Sequence, residues 1–271
     1  MPRVISIVSG KGGVGKTTLV GNLGTILSKK FNKKVLLIDA NITTPHLGQY
    51  MGIDFCQTTL NDVLRGKALV DEALYEHESG ARLIPASIEL HDLKGIDISK
   101  LKKVVAQANK KIKDTEIVLI DSAPGLGREA MASLQASKEV LFITTPYAPI
   151  VIDVMKCARI AEHLKLKPLG VVVNMSHGKG HELNKQEIEA LVGLPVISTI
   201  RHHKEVHHSL SARKPLVLHR PRTQGAKEFY RLAEALMGVE QTNPGVLARL
   251  REIFNRFYST TPKNTKKMQA Q

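Results

Sequence analysis

The ten residues Ser9-Gly10-Lys11-Gly12-Gly13-Val14-Gly15-Lys16-Thr17-Thr18 concentrate the side chains and backbone freedom that hold phosphate. Gly10 to Thr17 fits the pattern GxxxxGK[ST]. Glycines let the backbone turn sharply and aim N–H groups inward at phosphate oxygens. A helix starting after the loop adds partial positive charge. Lys16 is placed to reach the β- and γ-phosphates, and the Thr17 hydroxyl to ligate Mg²⁺. A phosphate loop needs one lysine, yet this one carries two, Lys11 and Lys16.

Such a loop works only between a strand and a helix. The runs VISIV, KVLLID, EIVLID, EVLFIT and PLGVVVN are short, β-branched and apolar on both faces, as strands covered on both sides are. PVIST reads as a last strand. Between them lie helical patterns: TTLVGNLGTILSKK, DISKLKKVVAQANKKI, VIDVMKCARIAEHL and GAKEFYRLAEALMG. The alternation predicts an α/β fold, a mostly parallel sheet with helices on both faces. It occupies residues 1–238 as one domain.

KGGVGKTT resembles the deviant Walker A motif of the MinD/ParA family of P-loop ATPases, and the resemblance is closest to the MinD-like members. It extends over roughly residues 3 to 237. VLLIDANITTPHLG looks like the family's switch I and VLIDSAPGLGREA like its switch II; TLNDVLRGKALVDEALY, RLIPAS and GVVVN fall in the expected order. The resemblance implies ATP and Mg²⁺ as cofactors and a homodimer in the ATP-bound form. Lys11 would be the signature lysine that reaches the other subunit's nucleotide, and Lys16 would serve its own. A lysine lent by a partner makes nucleotide binding and dimerisation mutually dependent. Asp39 would lie near Mg²⁺, and Asp121 would hold it through water, beside Thr17. Gly125 would let switch II approach the γ-phosphate, and Asn174 would contact adenine or cap its strand. Gly10, Gly12, Gly13, Val14, Gly15 and Thr18 complete the cradle.

Two departures qualify the resemblance. Switch I of MinD-like proteins usually reads Asp-x-Asp, whereas this segment is Asp39-Ala40-Asn41. Asn41 hydrogen-bonds a water but accepts no proton from it. Phosphoryl transfer asks mainly for positioning, so slow hydrolysis is the expectation. The family's Ile-Pro-Glu/Asp run at the adenine pocket is replaced by Thr199-Ile200-Arg201-His202-His203.

Composition narrows the setting. The chain has 271 residues, 39 Lys and Arg against 25 Asp and Glu, and a formal net charge of +14. That surplus favours an acidic partner, an anionic lipid surface or nucleic acid, unless it is simply a lysine-rich solvated surface. Two cysteines, Cys56 and Cys157, lie far apart and outside any CxxC pair, which argues against a cysteine-held cluster and for a reducing compartment. MPRVISIV lacks the features of a signal peptide, and the expected location is cytoplasmic. HHKEVHH sets His203 and His207 at i, i+4, a metal-pair spacing, although a basic surface loop is the plainer reading.

After Gly238 the pattern changes. Residues 239–245 read as a linker with the turn signal Asn243-Pro244-Gly245. In residues 246–258, Val246, Leu247, Leu250, Ile253, Phe254, Phe257 and Tyr258 fall within one arc of about 140° at 100° per residue, edged by Arg249 and Arg251. This is the pattern of an amphipathic helix lying in a membrane interface, or of one packed on its own domain or a partner. Residues 259–271 are polar, basic and expected to be disordered. The reading that follows is a MinD-like ATPase, a dimerising switch on the membrane that recruits an unidentified protein of division, polar or motility machinery. The alternatives are a ParA-like ATPase on nucleoid DNA and a nucleotide-loaded scaffold that barely hydrolyses.

Overall fold

The computed structural model of the chain describes residues 2–239. The apolar runs form β1 (Arg3–Val8), β2 (Val35–Asp39), β3 (Tyr75–Glu76), β4 (Arg82–Ile84), β5 (Ile117–Asp121), β6 (Glu139–Thr144), β7 (Lys167–Ser176) and β8 (Val196–Arg201). They make one sheet in the order β3-β4-β2-β5-β1-β6-β7-β8. Every neighbouring pair is parallel except β3 with β4, which is antiparallel. The helices are α1 (Lys16–Lys29), α2 (Leu47–Tyr50), α3 (Leu60–Arg65), α4 (Leu101–Lys111), α5 (Arg128–Ala136), α6 (Ala148–His163), α7 (Lys185–Val192), α8 (Lys204–Ser211), α9 (Leu216–His219) and α10 (Gln224–Met237).

The two-residue period of the strands sorts their side chains into two covered faces. Ile5 and Ile7 of β1 join Leu37 and Leu119 under α1 and α10, where Leu19, Leu23, Phe229 and Leu232 are buried. On the opposite face Val4 joins Leu36, Ile38 and Val118 against Leu101, Val104 and Val105 of α4. Further along that face Val8, Val140 and Phe142 meet Val154 and Cys157 of α6 and Ile188 of α7. Each such Leu, Ile or Phe contributes about 1.5–3 kcal/mol by leaving water. This double coverage is why the strands read as unbroken apolar runs.

The structure differs from the pattern reading in detail. The helix expected from Asp97 begins at Leu101, because Asp97 caps a 3₁₀ turn, Ile98–Lys100, by accepting from Ser99 N at 3.1 Å. The strand ending in VVVN continues past Asn174 to Ser176. β3 and β4 have two and three residues and carry too little pattern to be called; the turn at Gly80, with φ +83°, brings them together. No helix among the described residues is long and apolar enough to cross a membrane. The expected helix at 246–258 and tail at 259–271 lie outside the described residues, as does the linker apart from Val239.

Candidate functional site

The phosphate loop sits between β1 and α1, at the C-terminal edge of the sheet, where β1, β2 and β5 converge. Gly15 takes φ +95° at the helix start, and its carbonyl receives the first helical bond, from Leu19 N at 2.9 Å. The N–H groups of Lys16, Thr17 and Thr18 precede that bond and face outward from the helix N-terminus. No side chain fits at Gly15, since a Cβ there would stand 2.3 Å from Asn174 Nδ2. Gly10 is equally constrained by α6: a Cβ would lie 2.2 Å from that of Asp153. Gly12 and Gly13 are exposed at the top of the loop, while Val14 and Thr18 are buried at its base.

The two lysines have different surroundings. Lys16 is buried and donates to Ser9 Oγ at 2.9 Å; Ser9 Oγ in turn donates to the Lys11 carbonyl at 2.8 Å. Burial pulls the Lys16 pKa below its usual value, opposed by the carboxylate of Asp121. Lys11 is exposed. The GxxxxGK[ST] pattern begins after Ser9 and assigns it no role; its contact with Lys16 is visible only in the fold.

Strand register brings the two acids together. Asp39 ends β2 and Asp121 ends β5, and the two are register partners. Thr17 Oγ1 donates to Asp121 Oδ2 at 2.6 Å, whereas Asp121 Oδ1 is buried without a hydrogen-bond partner. Asp39 is wholly buried and accepts from Leu47 N at 3.0 Å and Asn41 N at 3.2 Å. Burial pushes the Asp121 pKa up to about 6, against the hydrogen bond from Thr17 and the charge of Lys16. Burial and the neighbouring Asp121 raise the Asp39 pKa well above its ordinary value. A buried hydroxyl–carboxylate pair with an orphaned oxygen, beside a second acid, fits a Mg²⁺ ion held through water.

The remaining expected residues are placed as follows. Both ends of the Asn41 amide engage Thr44: Nδ2 donates to its carbonyl, and Oδ1 accepts from its hydroxyl at 3.1 Å. Asn41 therefore closes a local turn in this structure. The adjoining Thr43 hydroxyl donates to Glu129 on the first turn of α5, which ties the segment after β2 to that helix. Gly125, at φ +76°, donates its N–H to the Ser9 carbonyl at 2.9 Å, so the segment after β5 rests on the start of the phosphate loop. Asn174 Nδ2 donates to the Val14 carbonyl at 2.8 Å, bracing the loop from β7. The roles of Ser9, Asp153 and Glu129 carry no local sequence signal.

Two other expectations concern residues away from this cradle. Cys157 is buried in α6, where burial and Asp153 push its thiol up to about 12; Cys56 is half-buried in the loop after α2. His203 and His207 do not form a pair. His203 precedes α8 and turns inward, its Nε2 lying 2.9 Å from Glu228 Oε2, because the buried Glu228 draws it under α10. His207 faces His202 instead, with their Nε2 atoms 3.3 Å apart.

Residues 1–237 match the family model described as ParA: NUBPL iron-transfer P-loop NTPase. An uncharacterized ATP-binding protein of Methanocaldococcus jannaschii is 33% identical over 241 residues, covering 89% of each chain. The crystal structure of the cell division ATPase MinD from Pyrococcus furiosus superposes with a TM-score of 0.83 at 30% identity, over 89% of this chain and 100% of that one. MinD from Pyrococcus horikoshii, solved in complex with Mg-ADP, gives 0.83 at 29% identity, over 87% and 96%. The phosphate loop, the paired strand-end acids and these similarities lead to one conclusion: the chain belongs to the MinD/ParA family of P-loop ATPases.

Proposed function

We propose that this chain is a MinD-like ATPase that binds Mg-ATP, dimerises across the nucleotide, and uses that state to hold a membrane and recruit a protein partner. The observation that carries the reading is the division between its lysines. Lys16 is buried against Ser9 within its own loop, while Lys11 is exposed on the same loop and open to a second subunit. Thr17, Asp121 and Asp39 would hold Mg²⁺, the aspartates through water; the cation neutralises charge developing on the phosphates when bound. Backbone N–H groups from Gly12 to Thr18 would cradle the phosphates, and Asn174 would support the loop beneath the base. Asn41 would orient the attacking water after release from Thr44, and hydrolysis would be slow because it supplies no base. Cargo chemistry of the iron-transfer kind has no support in the cysteines, which are two in number and unpaired.

Membrane residence would come from residues 246–258. Each Arg or Lys near an anionic surface contributes about 1 kcal/mol, and the apolar arc adds a few kcal/mol. Ordering the helix takes back part of that gain. One copy would hold weakly, and two on a dimer gain about 10²–10⁴ in avidity. Liposome sedimentation with ATP and with ADP, with and without DNA competitor, tests the reading. The expected result is ATP-dependent binding to anionic vesicles that DNA does not displace, abolished by Leu250→Glu or Phe254→Glu with ATP-dependent dimerisation intact. The net charge of +14 suits DNA as well as an anionic membrane, so the second reading is a ParA-like DNA binder. That reading would be established instead by salt-sensitive, ATP-dependent DNA binding that survives both substitutions.

A further inference from the structure

His202, just after β8, faces His207 on α8. The two Nε2 atoms lie 3.3 Å apart, with ring centroids at 5.4 Å and planes tilted by 49°. Two metal–nitrogen bonds of about 2.0–2.1 Å at a tetrahedral angle set their nitrogens about 3.3–3.4 Å apart. Without metal the same contact is a hydrogen bond between one ring N–H and the other ring's nitrogen, which a metal ion bound to both would replace. His177 stacks on the other side of His202, with centroids 4.8 Å apart and planes 21° from parallel.

The scaffold beneath the pair is rigid. His202 follows the last residue of β8, and its N–H is bonded to the Ser176 carbonyl at the end of β7 at 3.0 Å. His207 rides on α8, whose start is fixed by His203 through the buried Glu228. Glu228 also accepts from Arg201 N at 2.9 Å, so one buried carboxylate orients both the strand end and the helix start. Both residues are exposed.

We propose that His202 and His207 form a two-point chelate for a borderline transition-metal dication such as Zn²⁺ or Ni²⁺. Imidazole donors select such ions over Mg²⁺, which prefers oxygen. Among the described residues no group of three or more His, Cys, Asp or Glu side chains is placed to hold a metal, so water completes the shell. Bound metal would clamp the end of β8 to α8, beside the cleft of about 470 Å³ lined by Ser176, Lys179 and Thr199. The site is separate from the phosphate loop and does not depend on the function proposed above.

The test uses untagged full-length protein, stripped with EDTA and kept in phosphate-free buffer without nucleotide. Equilibrium dialysis with Zn²⁺ or Ni²⁺ should give one tight site per chain. His202→Ala and His207→Ala should each weaken it at least tenfold, while His208→Asn, on the same helix, should leave it unchanged. Excess Mg²⁺ should not compete, and circular dichroism should show the variants folded. X-ray absorption of the Zn²⁺ form should report two imidazole nitrogens. The proposal is overturned by absence of binding in the wild type, by undiminished binding in both alanine variants, or by equal loss in His208→Asn.

Discussion

Thr17 Oγ1 and Asp121 Oδ2 stand 2.6 Å apart, joining the first turn of α1 to the end of β5 across the mouth of the phosphate loop. The other Asp121 oxygen is buried and unpaired. Such a group costs about 1–3 kcal/mol until a partner arrives. Thr17→Val should therefore reduce the gain in melting temperature that Mg²⁺ adds to ADP, with a smaller effect on binding of ADP alone. Scanning calorimetry with ADP, with and without Mg²⁺, measures both. An undiminished Mg²⁺ increment would remove Thr17 from the metal site.

The two lysines should separate affinity from assembly. Lys16→Ala removes a buried cation from the cradle, and hydrogen bonds to charged groups are worth about 1.5–3 kcal/mol, or roughly 10- to 100-fold in affinity. Lys11→Ala should change nucleotide affinity little and abolish ATP-dependent dimers. Nucleotide titration together with light scattering resolves the two effects. Normal dimers from Lys11→Ala would refute a role for this lysine in trans.

Asn41→Asp should raise basal phosphate release. A positioned base contributes about 10²–10⁴ in rate. The low end is expected here, because the substitution also removes the amide bond to the Thr44 carbonyl. ATP affinity should hardly move. Equal or slower turnover at matched ATP occupancy would show that another group activates the water.

Stability should carry a pH signature at Asp92. Its carboxylate accepts from Ser87 Oγ at 2.6 Å and pairs with Arg65 at 2.6 Å, and these hold its pKa below the ordinary carboxylate value. A depressed pKa means the unfolded chain binds more protons as the pH falls toward it. The contribution is thus complete above the unfolded value and lost on acidification through the folded one. Asp92→Asn should cost about 1–2 kcal/mol at pH 7, since it leaves the partly buried Arg65 unneutralised. Urea melts of both proteins should converge as the pH falls below 3.8. A gap that persists unchanged in acid would mean that Asp92 acts by packing.

Features that depend only on neighbouring residues are legible in the chain before it folds. GKGGVGKT specifies a phosphate loop because glycine freedom, a lysine and a helix start must be contiguous. Six apolar runs specify a buried sheet because their period and length leave no other use for them. The tertiary structure decided whatever depends on register and on elements far apart in the chain. Asp39 meets Asp121 only because β2 lies beside β5. Asp153 meets Gly10 only because α6 crosses the loop. The histidines show the difference most sharply. Spacing alone offers His203 with His207 as a metal pair or as part of a basic surface loop, whereas the buried Glu228 of α10 turns His203 inward and leaves His202 to face His207. A spacing rule assumes one continuous helix, whereas here β8 ends just before His202 and α8 begins only after His203, so packing sets how these residues face His207.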